Sequence, residues 1–175
     1  WKDSHPEDLA GYALKQTPHV PKSVGPKPEF LKRTSMASEN YRRDAGEALR
    51  QLLEELANSP EGDSLYTLFI CGGEWGEWFY PAFEFEPDTG PAMTSHFRNW
   101  LREKYHTDEA LRLAWNDESV SIAEAEVPDL EKHHKTASRM FRDPQHERQT
   151  IDYYQCHQAV MAETPLYFCK IAKQT

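Results

Sequence analysis

Apolar positions along this chain recur mostly at intervals of three and four, and one segment breaks that rhythm. Between residues 38 and 57, Tyr41, Ala45, Ala48, Leu49, Leu52 and Leu56 fall on one stripe, which predicts an amphipathic helix. Asn58-Ser59-Pro60-Glu61-Gly62-Asp63 then reads as a stop and a turn. Phe97, Trp100, Leu101 and Tyr105 predict a second helix over 95–105, with Thr94 or Ser95 as its cap. Thr107 can cap a short third helix holding Ala110, Leu111, Ala114 and Trp115. Asp143-Pro144 looks like another helix start, a capping side chain followed by proline at the first helical position. Ile151, Tyr154, Met161, Ala162, Phe168, Cys169 and Ala172 carry that last helix toward the end, with Pro165 placed to kink or divide it.

Residues 65–71, Leu-Tyr-Thr-Leu-Phe-Ile-Cys, are apolar on both alternating faces. That pattern predicts a strand covered on both sides, as in a parallel sheet or barrel wall. It leads into Gly72-Gly73-Glu74-Trp75-Gly76-Glu77-Trp78-Phe79-Tyr80-Pro81, a run of glycine, aromatics and carboxylates. A helix, a turn, a buried strand and a chemistry-bearing loop at the strand's C-terminal end is the grammar of an α/β barrel. Residues 1–34 differ from all of this. They hold five of the twelve prolines and little apolar periodicity, and they read as an irregular loop region.

Composition narrows the classes of function. The 175 residues are 38% hydrophobic and 28% charged, and no apolar run approaches the roughly 18 residues of a membrane span. The formal net charge is −9 and the basic residues are scattered, which argues against a nucleic-acid partner. Cys71, Cys156 and Cys169 lie in apolar contexts without a metal-binding spacing, so buried free thiols and a reducing, cytoplasmic setting are expected. His133-His134 sits in a charged stretch with no converging ligands, and no metal is expected. A chain opening Trp1-Lys2-Asp3 reads as an internal segment of something longer.

The order of motifs resembles a known family. Ser35-Met36-Ala37-Ser38-Glu39-Asn40-Tyr41-Arg42-Arg43-Asp44-Ala45, then Ser59-Pro60-Glu61-Gly62-Asp63, then Gly72-Gly73 through Gly76-Glu77-Trp78 are similar to the β-galactosidase-like glycoside hydrolases of family 42 and their relatives. His96-Phe97-Arg98-Asn99-Trp100-Leu101-Arg102-Glu103-Lys104-Tyr105 is the most specific stretch. Thr107-Asp108-Glu109-Ala110-Leu111, Phe141-Arg142-Asp143-Pro144 and Ile151-Asp152-Tyr153-Tyr154 follow in the same order.

The resemblance implies a retaining β-glycosidase on a (β/α)8 barrel, with this chain the α/β segment around strand four, mostly helical, and residues 1–175 part of the catalytic domain. It places the acid/base glutamate at Glu77, with Glu74 second, and leaves the nucleophile on a later strand outside the chain. The family has Asn before that glutamate where Gly76 stands here, so the usual contact to the sugar 2-hydroxyl comes from elsewhere.

The chemistry needs one carboxylic acid kept protonated by desolvation or a neighbouring charge, and Glu77 between aromatics with Glu74 three residues away suits that. Trp75, Trp78 and Tyr80 are expected to line a sugar subsite, Trp78 as its wall, against the alternative that they pack the loop onto the protein. Trp1 joins them through the resemblance. The expected partner is a carbohydrate, with no cofactor and no membrane, and a homo-oligomer of the longer protein stays open. The chain by itself is expected to be inactive. A non-catalytic carbohydrate-binding or scaffold barrel, or an inactive fragment, is the alternative.

Overall fold

The computed structural model describes residues 1–10, 33–72, 78, 87–129, 131–132 and 141–175. Four α-helices dominate them: α1 (Glu39–Ala57), α2 (Pro91–Tyr105), α3 (Asp108–Trp115) and α4 (Arg148–Gln174), with short 3-10 turns at Pro6–Asp8 and Gly62–Ser64. No strand occurs among the described residues, and Leu9 and Thr34 form an isolated antiparallel bridge.

Local chemistry sets the helix ends. The Ser38 hydroxyl accepts from the Tyr41 amide at 2.9 Å and starts α1. Pro91 occupies the first position of α2, so that helix begins before the expected Ser95. Thr107 caps α3 by accepting from the Ala110 amide at 3.2 Å, and Asn116 ends it in the left-handed region at φ 52°. Asp143-Pro144 does not open α4. The Asp143 carboxylate accepts from the Gln145 amide and its carbonyl from the Glu147 amide, which closes a turn instead, and the helix begins at Arg148. From there α4 runs through Pro165 to Gln174.

The core forms where α2, α3 and α4 meet. Phe97, fully buried, stacks on Trp100 and Trp115 at 6.4 and 6.3 Å and meets Tyr153 edge-on at 5.7 Å. Met93, Leu101, Leu111, Cys156 and Val160 fill the space around it. Burial pushes the Cys156 thiol up to about 12, so it is inert at neutral pH. The helix α1 lies along the second half of α4. Gly46 is the point of closest approach, since a Cβ there would stand 2.6 Å from Ile171 Cδ1 and 3.0 Å from the Tyr167 ring.

One buried carboxylate ties three helices together. Asp152, on α4 and without solvent exposure, accepts from Lys104 Nζ at 2.9 Å, Tyr105 Oη at 2.5 Å and Trp115 Nε1 at 2.8 Å. Arg148 Nε lies 3.1 Å from the same group. Burial, and then donation to this carboxylate, holds the Tyr105 phenol up at about 12.

The structure corrects the expected α/β character. Residues 65–71 carry no regular structure, are unpaired with any described segment, and are exposed apart from half-buried Ile70: Tyr66 is 99% and Phe69 80% accessible. A strand is defined by hydrogen bonds to a neighbour, and the described residues provide none, so the apolar pattern produces no sheet among them. Cys71, expected to be buried, is exposed for the same reason, while Cys156 is buried; all three thiols are free.

Two outcomes follow from this packing. Asp152→Ala takes the acceptor from the Tyr105 phenol and the Trp115 indole N–H at the junction of three helices, while Lys104 and Arg148 keep some access to solvent, and it should cost about 2–3 kcal/mol, read as a lower urea midpoint at unchanged slope. A loss below about 1 kcal/mol would show that apolar contacts alone hold the three helices. His157 is buried against Tyr153 at 5.8 Å, and burial depresses it from 6.5 to about 4. The unfolded chain therefore takes up a proton below about pH 6.5 that the folded chain refuses until about pH 4. Stability contributed by neutral His157 is complete above pH 6.5 and is lost as pH falls to about 4, a difference of about 3 kcal/mol. His157→Leu should flatten that part of the stability profile, and an unchanged profile would count against the assignment.

Candidate functional site

Of the six residues expected at the site, Glu74, Glu77, Trp75 and Tyr80 lie outside the described residues, while Trp1 and Trp78 lie within them. The structure brings those two tryptophans to one aromatic row. Trp1 meets Tyr41 of α1 edge-on at 6.1 Å, Tyr41 meets Phe168 of α4 edge-on at 6.1 Å, and Phe168 stacks on Trp78 at 5.8 Å with 24° between the planes. Edge-to-face and offset contacts at these separations are the favoured aromatic geometries.

Trp1 is 42% exposed and is held by polar contacts as well as by the row. Its indole N–H donates to Asp44 Oδ2 at 2.8 Å, its ring stacks on His5 at 4.4 Å, and its carbonyl lies 3.0 Å from His5 Nδ1. Donation from Trp1, and then from Arg43, draws the Asp44 carboxyl below its usual range. Behind this, Asp8 is buried and accepts from the Ser38 hydroxyl at 2.7 Å and Asn40 Nδ2 at 3.0 Å, which fastens the first residues to the start of α1.

Trp78 is half-buried and engaged by protein on several sides. Its indole N–H donates to the Ile70 carbonyl at 3.0 Å, and it packs against the core cluster. A Cβ on Gly72 would stand 2.9–3.0 Å from Trp78 atoms at opposite ends of the six-membered ring, so the Gly72 backbone lies over that ring. Any side chain at position 72 would displace it.

The row is braced from the α1–α4 junction. Arg42 donates to the Met36 carbonyl at 3.1 Å and to Thr164 Oγ1 at 2.9 Å, and Thr164 lies 2.9 Å from the Val160 carbonyl. His96 of α2 is near this guanidinium; burial, and then Arg42, lowers its pKa. On the other flank, buried Asp88 accepts from the Gly90 amide at 3.0 Å and leads into α2.

Several of these residues were not singled out from the sequence. Asp152 falls four residues before buried Cys156 and shares its helical face, and a carboxylate on an apolar stripe is the signal that could have found it. Asp8 and Thr164 carry no comparable pattern. Among the described residues no group of three or more His, Cys, Asp or Glu converges to hold a metal ion. No described helix is long and apolar enough to cross a membrane.

Gly72→Ala should push the Trp78 ring off its seat at a cost of about 1–3 kcal/mol, checked by denaturation and by near-ultraviolet circular dichroism. An unaltered aromatic spectrum would mean that the ring does not rest on Gly72.

Comparison with known proteins gives a likeness of fold. No family model matches the chain. No curated protein matches it either. Among solved structures, the chain is similar in fold to a β-galactosidase from the psychrophilic Marinomonas ef1, with a TM-score of 0.61 at 21% identity. The likeness covers 98% of this chain and 23% of the β-galactosidase chain, so the 175 residues correspond to about a quarter of that neighbour.

Proposed function

We propose that this chain is the acid/base portion of a retaining β-glycosidase acting on β-galactosides. The observation that carries the reading is the likeness of fold to a β-galactosidase along 98% of the chain. The carboxylates Glu74 and Glu77 in the sequence, and the exposed Trp1 ring at the end of the aromatic row, support it.

Retention requires two carboxyl groups about 5–5.5 Å apart, one to protonate the departing oxygen and one to attack the anomeric carbon. In this reading Glu77 is the proton donor and Glu74 the neighbouring charge that raises its pKa. Trp75, Tyr80 and Trp1 offer faces to the C–H surfaces of the sugar. The attacking carboxylate belongs to polypeptide beyond these residues, so the chain by itself should turn over glycosides negligibly. After glycosylation Glu77 is left as a carboxylate and takes a proton from the water that hydrolyses the intermediate. The glycosidic oxygen leaves with the first proton and the water delivers the second, so the acid is regenerated.

Glu77→Ala in the complete gene product tests the assignment. Hydrolysis of an alkyl β-galactoside should fall on the order of 10²–10⁴-fold, because an alkoxide cannot leave unprotonated. A nitrophenyl β-galactoside should still form the glycosyl-enzyme, and added azide should restore turnover by attacking without a base, yielding a galactosyl azide. Azide rescue of Glu74→Ala and not of Glu77→Ala would exchange the two roles. Full activity in both variants would remove the acid/base assignment from this loop.

A further inference from the structure

We infer that Trp78 is a positioning residue, which fixes the backbone next to Glu77 against Phe168 and Ile70 and does not form a wall of the sugar subsite. The inference rests on the glycosidase reading above and deepens it. Sugar-stacking tryptophans present an open ring face, and their indole N–H is available to substrate or water. Here the indole N–H is committed to the Ile70 carbonyl at 3.0 Å. The Gly72 backbone lies over the six-membered ring, and Phe168, only 5% exposed, stacks on it at 5.8 Å. These contacts come from two directions of the chain: Ile70 and Gly72 precede the loop, whereas Phe168 lies on the long helix α4.

The mechanical consequence follows from covalent geometry. Consecutive Cα atoms are about 3.8 Å apart, so anchoring Trp78 confines the Cα of Glu77 to a small region. A general acid must reach the leaving oxygen to within a hydrogen bond, and a displacement near 1 Å can cost on the order of 100-fold in rate. The helix side of the Trp78 seat is itself well fixed. Phe168 is braced by Tyr41 at 6.1 Å and by Tyr167 at 5.4 Å. The backbone at Trp78 is thereby referred to a helix whose other end is clamped by Asp152.

Position and sugar affinity make opposite kinetic predictions. In the complete gene product, Trp78→Phe keeps an aromatic ring for Phe168 but removes the donor to Ile70, and Phe168→Leu removes the seat from the other side. If Trp78 positions Glu77, both variants should lose on the order of 10- to 100-fold on methyl β-galactoside, where protonation of the leaving group is needed. Formation of the glycosyl-enzyme from dinitrophenyl β-galactoside should change less than about 3-fold, because that group leaves unprotonated. The inhibition constant of free galactose should stay within about 2-fold, since no sugar contact is lost. Equal losses on both substrates together with weaker galactose inhibition, in Trp78→Phe but not in Phe168→Leu, would overturn the inference and return Trp78 to the sugar subsite. Wild-type rates in both variants would overturn it as well. Absence of any turnover by the wild-type gene product would instead defeat the glycosidase reading, and this inference with it.

Discussion

A single buried carboxylate organises the described part of the molecule. Asp152 has no access to solvent, and an unpaired charge in that place would cost several kcal/mol. It is tolerated because α2, α3 and α4 all send donors to it: Lys104 and Tyr105 from the first, Trp115 from the second, Arg148 from its own helix. Each donor is also fixed apolar mass. The Trp115 ring that donates its N–H stacks on Phe97, and Lys104 lies 4.6 Å from the centre of the Trp100 ring. Polar pairing and ring packing thus select the same relative placement of the three helices.

The same helix serves as the reference for the other end of the molecule. Phe168 lies sixteen residues beyond Asp152, a distance of about 24 Å along a helix. At that end the contacts are aromatic where at the first they are ionic: Tyr41, Tyr167 and Trp78 gather on Phe168. Gly46 lets α1 lie close enough for Tyr41 to take part, and the Arg42 guanidinium joins the Met36 carbonyl to Thr164 across the junction. Ionic pairing thus lies toward one end of α4 and the aromatic row toward the other, and the core cluster, with Met36, Ala37 and Val160 in it, runs between them.

What could be read from the sequence divides by the range of the physics involved. Thr107 caps α3 where the pattern places it, because a cap bonds a backbone amide three residues away and needs nothing else. Apolar stripes at helical spacing gave α1, α2, α3 and the body of α4 for the same reason. Asp143-Pro144 misled because an aspartate that can cap a helix can equally close a turn, and Glu147 captured its carbonyl first. Residues 65–71 misled more deeply: alternation of apolar side chains states what a strand would bury, but pairing depends on a partner that no local pattern specifies. Trp78 shows the limit at the site. Its position between carboxylates and aromatics suggested a sugar contact, and only the placement of Ile70, Gly72 and Phe168 revealed how its ring and N–H are used.

Pro165 shows how these levels meet. Proline has no N–H, so the Met161 carbonyl loses its intrahelical partner, and a proline within a helix ordinarily kinks or ends it. The helix nevertheless runs on to Gln174. The residue before it is tied both to its own helix and to α1. The Thr164 hydroxyl, fully buried, lies 2.9 Å from the Val160 carbonyl one turn back and receives Arg42 Nη2 at 2.9 Å from α1. The Arg42 guanidinium, which also donates to the Met36 carbonyl, holds this stretch of α4 against the start of α1. The weakest point of α4 is therefore the point at which α1 grips it. Phe168, on which the Trp78 ring stacks, follows only four residues later, so the grip of α1 on α4 lies one turn from that contact.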